Sequence, residues 1–344
     1  MSSLRSRIRP QQNVSYMVGR IWPIAVLCLI VVGSYLLTSG LGGADIQTAS
    51  TLALINLIIV IGIYVFMGLT GVFSFGHMAF VAIGAYASAV LTIPVQTRAL
   101  LLPNLPPFIS GAHLDSLPAV IAGGLIAMAV AAVLGIPIMR MAALSAAIST
   151  FALLIIVYVV AQNWSDVTGG VGGLSSIPQD TTGTTILLWT LGTLLAAYAL
   201  QESRIGLRLR AVREDPIAAQ GLGLSVARQR SIAFIFSAFL LVIAGGLYGQ
   251  YLGSIGPDAF YVDTTFLTLV MLIVGGRTSL AGAVVGTVFI SVVAEFLRRV
   301  EAGISVVGVA IPHSPGLAAT GLSLILLIIL IWRPLGITGG REII

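Results

Sequence analysis

Ten apolar runs recur along the chain, and no other feature limits its fold so tightly. They cover residues 21–38, 51–69, 78–91, 119–138, 142–160, 185–200, 231–252, 265–274, 281–297 and 317–332. About 20 apolar residues in helical form cross a bilayer, and the helix suits that medium because it pairs its own backbone groups. Charged residues are 8 % of the 344, against about 25 % in soluble domains. So little polar material cannot cover a water-soluble globule, which excludes an ordinary soluble enzyme and a disordered regulator. The expected fold is an all-α polytopic membrane protein with about ten hydrophobic membrane segments. Several runs fall short of 20 residues. The two flanking Gly275-Gly276 read either as two short spans or as one span plus a broken element.

The basic residues set the expected orientation. All 17 are arginine. With the N terminus in the cytoplasm and ten crossings, 14 of them lie on the cytoplasmic side. Only Arg98, Arg298 and Arg299 lie outside, the bias that positive-inside insertion produces. Arg5, Arg7, Arg9 and Arg20 precede the first run, which competes with a cleaved signal peptide. The length of the basic segment and the many later runs favour a retained span. Residues 1–20 and 333–344 are then cytoplasmic segments, and 21–332 is the membrane domain. The net charge of +5 has no long soluble basic domain to carry it, so nucleic acid is not an expected partner; membrane lipid is. One cysteine, Cys28, and three scattered histidines make neither a disulfide nor a zinc site. No charged residue lies near a span centre, which disfavours a proton-driven carrier.

The most polar internal stretch is the loop 201–230, with six arginines and three acids. Its bland reading is a solvated loop that fixes topology. Its sharper reading starts at Asp215, a suitable helix N-cap, followed by Pro216 in the first turn. Ile217 to Gln220 continue the helix, and Gly221 and Gly223 offer its stop. A short helix of small residues on the membrane face suits docking against another protein. The chain has no lysine, so it has no nucleotide-binding P-loop of its own.

The segment SRIGLRLRAVREDPIAAQGLGLSVARQRSIAFIFSAFLLVIAGGLYG (203–249) resembles the coupling region of LivM-type permease subunits of branched-chain amino acid ABC transporters. The match centres on Arg213, Glu214, Asp215, Pro216, Ala218, Ala219, Gly221 and Gly223. Gln220 stands where the family usually has an acid. GVFSFGHMAFVAIGAYA (71–87), VGGRTSLAGAVVG (274–286) and GLSLILLIILIWRPLGITG (321–339) resemble the same family, in the same order. The resemblance implies the importer permease fold and a bacterial cytoplasmic (inner) membrane location, with both termini cytoplasmic. It also implies a second permease subunit of LivH type, two cytoplasmic ATPase subunits and an external or periplasmic substrate-binding protein. ATP and magnesium would be held on the ATPase subunits, with no cofactor and no catalytic residue on this chain. The implied cargo is a branched-chain amino acid moved by alternating access. The same machine carrying urea, short amides or another small polar solute stays open. So does a standalone secondary carrier; a membrane enzyme is disfavoured because the acids are dispersed among loops.

Two stretches are candidates for the translocation pathway. Ser74, Gly76 and His77 lie between the second and third runs, where a broken helix can present free N–H groups to a carboxylate; a tight architectural turn is the alternative. The glycine-rich run 166–173 sits outside the membrane and lacks the setting of a phosphate loop. Thr168 and Gly169 within it correspond to a Thr-Gly-rich stretch of the resembled family, near the entry side. Gly282 and Gly286 form a G-x-x-x-G pair, suited to close helix packing within the subunit or against another permease.

Overall fold

The computed structural model describes residues 9–41, 43–302, 305–306, 309–310, 316–333 and 335–339. Arg5, Arg7, His313 and Arg341 lie outside them. The helices are α1 (Arg9–Leu41), α2 (Ala44–Thr70), α3 (His77–Thr92), α4 (Val95–Leu101), α5 (Pro107–Ser110), α6 (Ser116–Ile138), α7 (Ala143–Asn163), α8 (Ser165–Thr168), α9 (Gly183–Glu202), α10 (Arg204–Glu214), α11 (Pro216–Gly221), α12 (Val226–Leu252), α13 (Val262–Gly275), α14 (Leu280–Ala302) and α15 (Leu317–Trp332). Two strands, β1 (Ser305–Val306) and β2 (Val309–Ala310), form a short antiparallel pair between α14 and α15.

Each apolar run becomes a helix. Eight stretches are long and apolar enough to cross a membrane, one of them Pro257–Gly275, which joins a 3-10 turn to α13. The remaining two, α3 and α15, have 16 residues each. The expected ten segments thus resolve into eight full-length helices and two short ones among the described residues. α3 with α4 makes a ninth candidate span, bent by 120°. The bend falls at Ile93-Pro94, because Pro94 brings no N–H and holds Ile93 extended (ψ 131°). α1 begins earlier than its apolar run and extends back to Arg9, inside the segment expected to be a cytoplasmic lead.

α2 and α12 are the axis of the bundle. In α2, 83 % of the apolar stretch is buried inside the protein, against 17 % in α1. The two axis helices run antiparallel: the Ser237 hydroxyl donates to the Gly62 carbonyl at 2.7 Å, and Phe66 meets Phe234 edge-on at 5.4 Å. α3 lies beside α12 in the same direction, with Phe80 on Phe234 and Ser88 bonded to Gln250. Buried Gln250 is satisfied by Thr181, Ser88 and the Ser116 carbonyl, so it locks α12, α3 and α6 together without an orphaned polar group.

The stretch around Gly275-Gly276 is a helical hairpin, not a broken span. A Cβ at Gly275 would strike the Gly282 carbonyl, and one at Gly286 would strike the Met271 carbonyl. The G-x-x-x-G pair therefore packs α14 against this chain's own α13. Such backbone contact is how helices associate in a medium as apolar as their side chains. After α15 the chain returns to this hairpin, where the Ile337 and Thr338 amides donate to the Val274 and Gly275 carbonyls.

These contacts gather the helix ends at two poles. One holds the ends of α2, α6, α13 and α15, the starts of α7, α12 and α14, and all of α10 and α11. Every described arginine beyond α1 belongs to it except Arg98, Arg298 and Arg299. Arg98 is fully buried at the other pole, donating to the Val90 and Ser110 carbonyls. It ties down an unpaired carbonyl in the last turn of α3.

Candidate functional site

The basic pole carries two helices mounted outside the bundle. α11 forms as its sequence dictates: the Asp215 carboxylate accepts from the Ile217 and Ala218 amides at 2.9 and 3.0 Å, and Pro216 opens the first turn. Gly223, at φ +80°, ends it. The Gly223 and Leu224 amides turn back to the Gln220 and Ala219 carbonyls, a Schellman stop. Gly221 is the last helical residue and has open space around it, so the stop belongs to Gly223 alone.

The charged arm before α11 is itself helical. In α10, Ser203 caps the Ile205 and Gly206 amides, and Gly206, Leu209 and Val212 face inward. The cap and the apolar spacing of Ile205, Leu209 and Val212 were the signals for this element, masked by four arginines within it.

The small residues of α11 do not all face outward. Ala218 is exposed, but Ala219 is 2 % exposed and turned into the chain. The outward side instead carries Ile217 and Leu222, 82 % and 80 % exposed. Reading Ala219 as a docking contact is therefore corrected: it is the residue by which α11 seats on its own protein.

Arg213 connects this assembly to the bundle. Its guanidinium donates to the Gly68 carbonyl in the last turn of α2 at 2.8 Å, and to the Glu214 carboxylate at 2.7 and 3.0 Å. A cation on a helix's free carbonyls is stabilised by the helix dipole as well as by the bond. One turn earlier, the buried Tyr64 hydroxyl of α2 donates to Gln201 at the end of α9. α10 and the end of α9 that precedes it are thus each tied to the end of α2.

α2 ends at Gly71, φ +72°, and the chain is non-helical until α3 starts at His77. Because α2 runs against α12 and α3 runs with it, residues 71–76 form a turn between antiparallel helices, not an interruption of one helix. Gly76 backs directly onto the Thr150 carbonyl of α7, leaving no room for a side chain. Ser74 and His77 are 1 % and 2 % exposed. The imidazole packs on Phe66 and Phe234, with ring centroids 5.2 and 5.8 Å away, and Phe80 packs in turn on Phe234. Neither ring nitrogen nor the Ser74 hydroxyl makes a well-formed hydrogen bond; the polar neighbour of the imidazole is the Ser74 backbone. Three polar atoms so poorly satisfied within four residues are expensive at this depth.

Thr168 and Gly169 lie at the opposite pole. The Thr168 hydroxyl donates to the Ala161 and Trp164 carbonyls, and Gly169, at φ +73°, ends α8. Both close the outer loop on α7, and the structure does not bring them near Ser74 or His77. Sequence reasoning missed the aromatic cluster beside them. Tyr158 stacks on Tyr261 at 3.7 Å and bonds to Asp258 and Gln162, while Phe260 packs on Tyr86 and Tyr248. Tyr86, Tyr158 and Phe260 line a cavity of about 10 Å³ between α3, α7 and the 257–260 turn.

Among the described residues, no group of three or more His, Cys, Asp or Glu is placed to hold a metal. An apolar helical bundle with short helices mounted on one basic pole is the architecture of a membrane transport permease. The family model described as branched-chain amino acid transport system / permease component matches residues 45–331; the chain belongs to that family, as a permease subunit of an ABC-type importer. LivM of Escherichia coli K12, a high-affinity branched-chain amino acid transport system permease protein, is 26 % identical over 325 residues, covering 85 % of this chain and 71 % of that protein. LivH of Salmonella typhimurium, a permease protein of the same kind of system, is 32 % identical over 127 residues, 36 % of this chain and 40 % of that protein. The nucleoside ABC transporter permease protein NupC of Lactococcus lactis is 34 % identical over 82 residues, 24 % of this chain and 26 % of its own. No solved structure matches the chain.

Proposed function

We propose that this chain is the LivM-type member of a permease pair that imports branched-chain amino acids. The observation that carries the reading is coverage: similarity to LivM runs through 85 % of the chain, whereas similarity to the nucleoside permease stops at 24 %. The partners are a LivH-type permease subunit, two ATPase subunits at the basic pole and a substrate-binding protein at the other. The basic pole faces the cytoplasm of a bacterial cell, and the protein sits in its cytoplasmic (inner) membrane. ATP and magnesium stay on the ATPases.

The geometry supports a mechanical route. α11 offers Ile217 and Leu222 to the ATPase. Asp215 caps it, and Pro216, Ala218, Gly221 and Gly223 shape it. Movement of α11 is carried by α10 and by Arg213 to the end of α2. Ser74, Gly76 and His77 follow directly, at the turn where α2 gives way to α3. At the far pole the cavity beside Tyr86 has room for about one water, so an amino acid passes there only when helices move. Alternating access supplies that movement: ATP binding draws the ATPases together, and this turn and the far pole reorganise one after the other.

The test is purification with native partners, then reconstitution in vesicles with the binding protein and ATP inside. Uptake of leucine, isoleucine and valine is the expected outcome. Uptake of urea or short amides instead replaces the cargo and leaves the machine standing. Transport with no ATPase present refutes the whole reading.

A further inference from the structure

A polar cavity of about 430 Å³ opens at the basic pole, lined by Met67, Gly71, Phe73, Arg213, Glu214 and Arg277 among others. Three pieces of chain meet there: the end of α2 with the turn that follows it, the end of α10, and the turn between α13 and α14. The two arginines in its wall differ. Arg213 is committed, to Gly68 and Glu214. Arg277 is exposed, its guanidinium stands 5.1 Å above the Phe73 ring, and no carboxylate of the described residues pairs with it. A guanidinium over an aromatic face keeps its charge and its N–H donors, and a carboxylate is the partner that such a fork can take in two parallel bonds.

We infer that this cavity is a second docking point for the ATPase partner, where Arg277 receives an acidic side chain of that subunit. The inference rests on the reading of the basic pole as the ATPase face. Two observations favour a protein carboxylate. With two arginines and one glutamate the wall is net positive, so the occupant is an anion. The cavity is also continuous with α11, since Glu214 in its wall directly precedes the Asp215 cap. One partner surface thus spans Ile217, Leu222 and Phe73, with the charge pair between them. The consequence is mechanical. α11 reaches α2 through Arg213, but a group bound at Arg277 touches the turn after α2 itself through Phe73. Two contacts on either side of Arg213 convert a push on one helix into a rotation of this turn.

The experiment uses the full complex, purified through a tag on this chain, at matched amounts of membrane-inserted protein. Retained ATPase is measured while salt is raised from about 0.1 M to about 1 M, which shortens the Debye length from about 10 to about 3 Å. Arg277→Glu is expected to lower retention on the order of tenfold at low salt, and Arg277→Lys to lower it far less. The salt dependence of wild type should exceed that of Arg277→Ala. A photo-crosslinking amino acid at Phe73 should capture an ATPase subunit, as one at Leu222 should. Equal retention in wild type and Arg277→Glu, or capture of lipid alone from position 73 while 222 captures ATPase, overturns the second docking point and leaves α11 as the docking helix. Absence of ATPase from the wild-type complex and from both crosslinks refutes the underlying reading too.

Discussion

Replacing His77 by phenylalanine sets stability against function. In the wild type neither buried ring nitrogen makes a well-formed hydrogen bond, and the ring packs on Phe66 and Phe234 with the Ser74 backbone as its polar neighbour. A buried donor or acceptor left unmade costs about 1–3 kcal/mol. His77→Phe removes that penalty and adds an apolar ring. The new ring is slightly larger, and overpacking subtracts about 1 kcal/mol. The net gain is about 0–2 kcal/mol, at most a factor of about 30 in an equilibrium constant. Solubilised His77→Phe protein should therefore unfold at a temperature no lower, and up to a few degrees higher, followed by tryptophan fluorescence. Uptake in vesicles should fall, because the polar atoms of 74–77 find well-formed partners only in another arrangement of this turn, which the variant no longer favours. A lowered unfolding temperature refutes the burial argument. An equal or raised one with unchanged uptake refutes the claim that the turn moves during transport.

Other variants separate the roles of neighbouring residues. Ile217→Asp should leave the thermal stability of this chain unchanged and reduce ATPase copurification, whereas Ala219→Glu should destabilise the chain by several kcal/mol, because it buries an unpaired charge. Gly223→Ala should weaken α11 by about 1–2 kcal/mol through its left-handed backbone alone, since no atom lies near the added methyl; unchanged hydrogen exchange of the Leu224 amide would contradict this. Gly286→Val should force α13 and α14 apart at a cost of about 1–3 kcal/mol, read as a lower unfolding temperature. In a Cys28→Ser background, Arg208→Cys and Asp166→Cys should react with an impermeant thiol reagent from opposite sides of the membrane; labelling from one side defeats the assigned orientation.

Much of this protein is legible in its sequence because the bilayer asks for local properties. Length and apolarity made ten runs into ten helices, and arginine placement separated the two poles. Asp215, Pro216 and Gly223 wrote the start and stop of α11, since capping acts over a few residues. Tertiary structure decided which face of each element is inside. Lipid is as apolar as a protein core, so a membrane helix such as α2 or α12 is hydrophobic all round and does not mark its buried side. That is why G-x-x-x-G could not name its own partner. Arg213 reaching Gly68 spans 145 residues of chain, and Gln201 reaching Tyr64 spans 137. His77 packs on phenylalanines from α2 and α12. Contacts of that range leave no periodic trace in the sequence, and only the packed bundle brings their halves within bonding distance.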